Sequence, residues 1–254
     1  MNSNIILKIE DVSLVYPGRN GGVRALDRLS FEIEKGDFVS IIGSSGCGKT
    51  SLISLISGIR KPTAGKISHW EQPVESPSRR RVIVFQDHTL FPWKTAIENI
   101  RFVLKAGRIS ADQAAEAAKK YLAMVNLAKF RDAYPYELSG GMKQRVGIAR
   151  ALAADPEILL LDEPFAALDH LTRESVWSEV AKLLKASGKT ALLVTHNIEE
   201  AVFFGDKIFV MSRSPGTILE KIEVAINKPK NIRELKTINE FVKLEMKILE
   251  TLSI

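Results

Sequence analysis

The chain has 254 residues, of which 36 are Lys or Arg and 30 are Asp or Glu, giving a formal charge of +6. Hydrophobic residues make up 45% and charged residues 26%, a globular balance that excludes disorder along the whole chain. The single cysteine, Cys47, excludes a fold held by internal disulfides.

No apolar run approaches the ~20 residues of a membrane-spanning helix. The longest, residues 158–161 and 191–194, read as strands. Residues 1–11 lack the basic start and apolar stretch of a secretory leader, so a cytosolic location is expected. The basic runs Ser78-Arg79-Arg80-Arg81 and residues 228–236 lack the interleaved aromatics of a nucleic-acid platform, and no nucleic-acid partner is expected.

In chain order, residues 5–16 alternate in part and predict a strand. Pro17, Gly18, Asn20, Gly21 and Gly22 follow as turn residues. Leu29-Ser30-Phe31-Glu32-Ile33-Glu34 alternates strictly, as a half-buried strand does. From Phe38 the pattern changes. Phe38-Val39-Ser40-Ile41-Ile42, Val82-Ile83-Val84-Phe85, Ile158-Leu159-Leu160-Leu161, Ala191-Leu192-Leu193-Val194 and Ile208-Phe209-Val210-Met211 are nearly unbroken apolar runs. Strands buried on both faces of a parallel sheet need that composition. Residues 95–150 carry no strand signal. There Ala114, Ala118, Tyr121, Leu122 and Val125 recur at helical spacing behind Ser110 and Asp112, which can cap. A helical pattern over 173–186 lies between two of the apolar runs, which is βαβ logic. Leu235, Ile238, Phe241, Leu244, Ile248 and Leu252 predict an amphipathic helix in the tail, packed on the body. The expected fold is α/β with a mostly parallel core sheet.

Gly43-Ser44-Ser45-Gly46-Cys47-Gly48-Lys49-Thr50 fits G-x-x-x-x-G-K-[ST] between a predicted strand and the predicted helix that starts at Ser51. Glycines let successive backbone N–H groups face phosphate oxygens, and the helix start adds a favourable dipole. Lys49 would reach the outer phosphates and Thr50 would offer a hydroxyl to Mg²⁺. Leu159-Leu160-Leu161-Asp162-Glu163 ends an apolar strand in two carboxylates. Asp162 suits Mg²⁺, and Glu163 can orient an attacking water. Gln86 and His196 follow two more of the apolar runs. Each of these polar groups taken singly could be structural; four strand ends with groups suited to phosphate or metal chemistry make a site.

Leu138-Ser139-Gly140-Gly141-Met142-Lys143-Gln144-Arg145, with the phosphate loop before it and Leu161-Asp162-Glu163-Pro164 after it, resembles the signature motif of ABC-type ATPases. The resemblance covers essentially the whole chain. It implies a P-loop ABC ATPase fold with an N-terminal antiparallel β-subdomain and an inserted helical subdomain. The expected division is about 1–94 and 151–230 for the core, about 95–150 for the helical insert and about 231–254 for the tail. By the same resemblance Tyr16 stacks on adenine, and Gly43, Ser44, Ser45, Gly46, Cys47, Gly48, Lys49, Thr50 and Ser51 bind ATP. Gln86 is the Q-loop glutamine, a ligand of ATP and metal. Asp162 and Thr50 hold Mg²⁺, and Glu163, His196 and Lys49 are catalytic. Ser139, Gly140, Gly141 and Gln144 meet the ATP of a second subunit, and Asp169 belongs to the D-loop at that interface. Cys47 would sit where a thiol modifier blocks phosphate, so alkylation would inhibit and ATP would protect.

The resemblance further implies a head-to-tail dimer, of identical or closely related subunits, with two ATP molecules at the interface. One P-loop and no membrane span suit a separate motor subunit. Leu90-Phe91-Pro92-Trp93 reads as an apolar patch for a helix of a membrane permease; the alternative is that Phe91 and Trp93 pack the insert against the core. That segment and Met211-Ser212-Arg213-Ser214-Pro215-Gly216-Thr217-Ile218 resemble the nitrate, sulfonate, taurine and bicarbonate importer family. The expected function is the ATPase of such an importer. It would lie peripherally on the cytoplasmic face of the plasma membrane, in a complex with an extracytoplasmic solute-binding protein. The competing readings are an export or lipid-extraction ATPase, and a ribosome- or nucleic-acid-associated ABC protein.

Overall fold

The two kinds of apolar pattern form two separate sheets. A computed structural model describes residues 4–18, 22–87, 89–107, 109–227, 229 and 231–253, with only the backbone described at 170–172. Asn20, Gly21 and His88, and Lys228 and Lys230 of the second basic run, lie outside the described residues.

The chain begins with β1 (Ile5–Tyr16), β2 (Val23–Glu34) and β3 (Phe38–Ile42), then α1 (Lys49–Ser57). There follow β4 (Ala64–His69), β5 (Gln72–Pro73) and β6 (Arg81–Val84). Three helices come next, α2 (Ala96–Lys105), α3 (Ala111–Met124) and α4 (Gly140–Ala153). The second half alternates β7 (Ile158–Asp162), α5 (His170–Ser187), β8 (Thr190–Thr195), α6 (Ile198–Phe204), β9 (Lys207–Met211) and β10 (Ile218–Glu223). It ends in α7 (Ile232–Leu235) and α8 (Asn239–Leu252).

Among the described residues, β2-β1-β4-β5 form an antiparallel sheet. The second sheet has the order β10-β9-β3-β8-β7-β6 and is parallel except at its β10 edge. The unbroken apolar runs fall on its strands because both faces are covered. Ile158, Leu160, Leu192 and Val194 join the core shared with α1, β1 and β2. Leu159, Leu161 and Leu193 face the core built from α2, α3, α4, α5 and α6. Strand alternation thus assigns neighbouring leucines to two different cores.

The helices between β6 and β7 start where polar residues can satisfy orphan N–H groups. Thr95 with Glu98, and Ser110 with Gln113, form reciprocal capping boxes for α2 and α3. Ser110 is the cap, and Asp112 sits in the first turn.

Several elements differ from the sequence reading. β2 extends back to Val23, with irregular register against β1. β4, β5 and β10 carry too few apolar residues to be legible; β4 is buried only at Ile67 and His69. β6 stops at Val84, leaving Phe85 38% exposed. The tail forms two helices. The Thr237 hydroxyl donates to the Glu234 carbonyl, and Ile238 is extended, so the first helix ends and a second begins.

The first basic run is tied into the fold at its end, with Arg79 and Arg80 exposed and Arg81 buried. Arg80 donates twice to Glu157, at 2.8 Å each, and buried Arg81 donates to Ser76 O at 2.9 Å and contacts His69 Nδ1 at 3.0 Å. Glu157 also accepts from the Trp70 indole at 2.7 Å and lies 3.0 Å from His69 Nε2. Burial and the charges of Arg80 and Arg81 push the His69 pKa down to about 4, so this imidazole is neutral. Burial opposes ionisation of Glu157 as well, yet the bonds from Arg80 and Trp70 hold its carboxyl below the ordinary value. Glu157 immediately precedes β7, so this cluster anchors the antiparallel sheet to the root of the strand that ends in Asp162. Glu157→Ala leaves the Trp70 indole and the Arg80 guanidinium without their acceptor, and is expected to cost about 1–3 kcal/mol in chemical denaturation. Because the Glu157 pKa is lowered on folding, its contribution is present above the ordinary carboxylate pKa and lost as pH falls through the folded value. The wild-type and Glu157→Ala denaturation midpoints should therefore converge in acid.

Candidate functional site: a phosphate loop at three parallel strand ends

β3 is flanked by β8 and β9, and β8 by β7. The register sets Ile42 beside Thr195, and Val194 beside Asp162. The loop after β3, His196 after β8, and Asp162 with Glu163 at the end of β7 therefore emerge side by side at the carboxyl edge of the sheet. Ligands bind there in open α/β sheets.

The loop turns into α1 at Gly48, which has φ +103. A Cβ at Gly48 would also stand 2.6 Å from Leu26 Cδ2 and 2.8 Å from Ala25 O, so only glycine fits. Gly43 is restricted differently, since a Cβ there would lie 2.7 Å from Cys47 Sγ. Ser44, Ser45 and Gly46 are exposed. Helix α1 begins without a side-chain cap, and its first N–H groups stay available to an anion.

Lys49 is 4% exposed. Its ammonium donates to Gly43 O at 2.8 Å and to Ser44 O at 2.9 Å, and lies 3.5 Å from Glu163 Oε1. Glu163 Oε2 is 2.8 Å from His196 Nδ1. One carboxylate thus bridges the loop lysine and the histidine. Glu163 reaches both because its backbone is left-handed, φ +44, with its N–H held by Val194 O at 3.0 Å. This conformation costs a non-glycine residue about 1–2 kcal/mol, and such strain gathers at functional sites.

The Thr50 hydroxyl donates to Asp162 Oδ1 at 3.2 Å. Burial, with the Glu163 charge, raises the Asp162 pKa against that bond. A buried carboxylate beside a second one is a site that a cation would stabilise.

Tyr16 is half-buried, its hydroxyl 2.9 Å from Ser51 Oγ, with the Arg60 guanidinium 4.7 Å from its ring centre. Gln86 stands apart from this group. It is exposed beyond the end of β6 and makes no hydrogen bond with Thr50 or Asp162 among the described residues. At the start of α4, Ser139 Oγ accepts from Met142 N at 3.3 Å, and Ser139 and Gly140 are exposed. Gly141 is buried, and Gln144 faces the core with its side chain fully covered. Gly140 approaches Leu168, just before exposed Asp169.

The segment after Gln86 is pinned from below. The buried Asn99 side chain accepts from Phe91 N at 2.8 Å and donates to the carbonyls of Phe91, Lys94 and Thr95. Arg150 donates to Thr89 O at 2.9 Å and to Asn99 Oδ1 at 3.4 Å. Phe91 packs on Phe102, ring centres 4.8 Å apart, and Trp93 remains 69% exposed. Phe91 is thus half-buried against an exposed ring, and Leu90 is the residue of this segment that packs against the core. Sequence reasoning missed Asn99, and missed Arg173 and Glu200, which line a cavity of about 50 Å³ with Glu163, Thr195 and His196. The only hint was Glu200 four residues after His196, indistinguishable there from an acidic helix start.

Cys47 corrects an expectation. Its backbone belongs to the loop, but its side chain points down, 1% exposed, into the core with Leu26, Leu52 and Met211. Burial pushes the thiol pKa up, against the pull of Lys49. A protonated thiol under the loop cannot meet a modifier at the phosphate face. Iodoacetamide should label Cys47 at a rate set by opening of the fold, rising at least tenfold in denaturant; rapid labelling of the folded protein would contradict this placement.

Residues 26–166 match the ABC transporter family. The chain is 44% identical over 223 residues to a nitrate import ATP-binding protein of Synechocystis sp., covering 88% of this chain and 83% of that one. It is 39% identical over 249 residues to a taurine import ATP-binding protein of Burkholderia pseudomallei, covering 96% and 95%. In structure it is similar to a dimeric ATP-binding cassette in a post-hydrolysis state with ADP and Pi, with TM-score 0.76, 33% identity and coverage of 87% and 100%. The strand-end geometry and these matches agree: the chain belongs to the ABC transporter family, as one of its ATP-hydrolysing cassettes.

Proposed function

We propose that the chain is the motor subunit of an importer for a small anion such as nitrate, taurine or another sulfonate, or bicarbonate. One observation supports the hydrolytic part above all. Glu163 lies between Lys49 and His196 at the edge of the phosphate loop. In this reading ATP lies along residues 43–51, with adenine beside Tyr16 and the outer phosphates at Lys49. A phosphate oxygen replaces the loop carbonyls as partner of the Lys49 ammonium. Glu163 orients a water for attack on the terminal phosphorus, and His196 holds Glu163 on one side and the γ-phosphate on the other. The bond to the ADP oxygen breaks, and inorganic phosphate leaves. Catalysis is positioning and charge stabilisation rather than covalent chemistry.

Thr50 and Asp162 fit Mg²⁺. They are hard oxygen donors, and no group of three metal-binding side chains is present among the described residues. That suits an ion shared with nucleotide phosphates and water rather than caged by protein. Bound there, Mg²⁺ supplies neutralisation of phosphate charge.

The working unit in this proposal is a pair of cassettes. Ser139, Gly140 and Gly141 of one protomer close on the ATP of its partner, Gln144 supports them from below, and Asp169 lies at the interface. The dimeric cassette with ADP and Pi supports this arrangement. The chain divides into a core, about 1–94 and 151–230, a helical unit, about 95–150, and a tail, about 231–254. A permease docks at Leu90, Phe91, Pro92 and Trp93, and a solute-binding protein on the far side of the membrane selects the anion. The names of the nitrate and taurine relatives support the importer reading. No helix among the described residues is long and apolar enough to cross a membrane. The cassette then lies peripherally on the cytoplasmic face of the plasma membrane.

Two outcomes are expected. Glu163→Gln retains ATP binding and lowers the hydrolysis rate at least about a hundredfold; near-normal turnover would remove Glu163 from its role. Trp93→Ala leaves hydrolysis by the purified chain unchanged but abolishes its recovery with a multi-span membrane subunit in mild detergent, while undiminished recovery would move the docking surface elsewhere.

A further inference from the structure

Behind the hydrolytic pair lies a buried carboxyl group that the proposed chemistry does not use. Glu200 is 4% exposed, in the first turn of α6. One oxygen accepts a hydrogen bond from the Thr195 hydroxyl; the other, Oε1, is buried without a hydrogen-bond partner. Thr195 is the last residue of β8, and the same hydroxyl accepts from Asn197 N at 3.0 Å. It therefore grips the backbone on both sides of His196. Glu200 also lines the small cavity whose other walls include Glu163, His196 and Arg173. Arg173 in turn donates to Leu168 O at 2.7 Å, next to Asp169.

We propose that Glu200 is a positioning residue for the Glu163–His196 pair: through Thr195 it fixes the strand end that presents His196, and across the cavity it sets the field at Glu163 together with Arg173. The inference rests on the reading of Glu163 and His196 as the hydrolytic pair. The groups that face Glu200 can be named element by element. From β8 and its end come Thr195 and His196, from the turn after β7 Glu163, and from α5 Arg173. Glu199, its neighbour on α6, pairs with Lys236 at 2.7 Å instead. The packed residues of α7, Ile232 and Leu235, are apolar.

Burial, with the Glu163 charge, raises the Glu200 pKa to about 8 against the Thr195 bond and the Arg173 charge. Near neutrality Glu200 is an uncharged acid, and Arg173 has one carboxylate fewer to serve. Ionised, Glu200 would repel Glu163 and draw Arg173 away from the Leu168 carbonyl. Activity should therefore fall as pH rises through about 8. The same proton gives a stability signature: with the folded pKa above the ordinary carboxylate value of 4.5, the contribution of Glu200 is fullest in acid and is lost as pH rises through about 8.

The test uses the full chain with MgATP, and thermal melting without nucleotide, both from pH 6 to 9.5. Glu200→Gln mimics the neutral acid. It should keep kcat at pH 7 within about threefold, remove the alkaline fall in kcat, and flatten the decline in melting temperature. Glu200→Ala should lower kcat about tenfold with the ATP KM within twofold. A Glu200→Gln variant that retains both alkaline slopes would overturn the proposal, as would one that loses as much kcat as Glu200→Ala. The Glu163→Gln measurement separates the two levels: slow turnover there with unchanged slopes in Glu200→Gln would retain the hydrolytic reading and discard the role of Glu200.

Discussion

The arrangement depends on one constraint, the parallel pairing of β8 between β3 and β7. Neighbouring strands in a sheet lie roughly 4.8 Å apart. Loops leaving adjacent strand ends therefore start within side-chain reach of one another. The register Ile42 beside Thr195 and Val194 beside Asp162 brings the phosphate loop, His196 and the two carboxylates to one level. A slip of one residue would turn every side chain of a strand to the opposite face. It would exchange the leucines between the two cores and aim Asp162 away from Thr50. The pairing is stable because β7 and β8 are buried along their whole length. Sheet stability and site geometry are thus the same property.

The carboxyl edge gathers the costs that this buried sheet offsets. Lys49 is almost fully buried, Glu163 is left-handed, Asp162 is desolvated beside another carboxylate, and Glu200 is buried as an acid. Each would destabilise an ordinary loop. Here each is tied to a strand end: Glu163 by Val194 O, Lys49 by Gly43 O, Glu200 by Thr195. At the opposite end of β7, Glu157 joins Arg80, Trp70 and His69 of the neighbouring elements. The strand carrying the candidate chemistry is fixed at both ends before any ligand arrives.

Features written over a few consecutive residues were legible in the sequence. The loop Gly43 to Thr50 and the pair Asp162-Glu163 could be placed because residue type, spacing and an adjacent apolar strand occur within ten positions. The parallel strands were legible for a similar reason, since burial on both faces leaves no polar positions to blur the run. Features that need a distant partner were not. β4 and β10 show few apolar residues because one face meets solvent, and β5 has two residues only. Arg81 looked like part of a surface charge run because nothing local reveals the His69 ring and the Ser76 carbonyl that hold it. Cys47 was assigned to the loop face because sequence gives the position of a residue and not the direction of its side chain. The continuous helical periodicity of the tail concealed the break at Thr237 and Ile238, which a side-chain bond to the backbone produces.

The same distinction explains how the candidate chemistry can reach the exposed tryptophan. Helix α4 is capped by Ser139, in the segment that resembles a second phosphate-facing helix start, and carries Arg150 near its other end. Arg150 bonds Thr89 and Asn99, and Asn99 holds the backbone from Phe91 to Thr95. Phe91, inside that hold, packs on both Trp93 and Phe102. The helix start and the aromatic surface therefore belong to one hydrogen-bonded framework. A shift of α4 along its axis cannot leave the Trp93 segment in place without breaking the Arg150 bonds to Thr89 and Asn99. Packed elements of this kind move as units rather than deform. A stiff connection between the helix start and the aromatic surface is what the proposed coupling to a membrane partner would need, and Asn99 and Arg150, two residues that no motif contains, provide one.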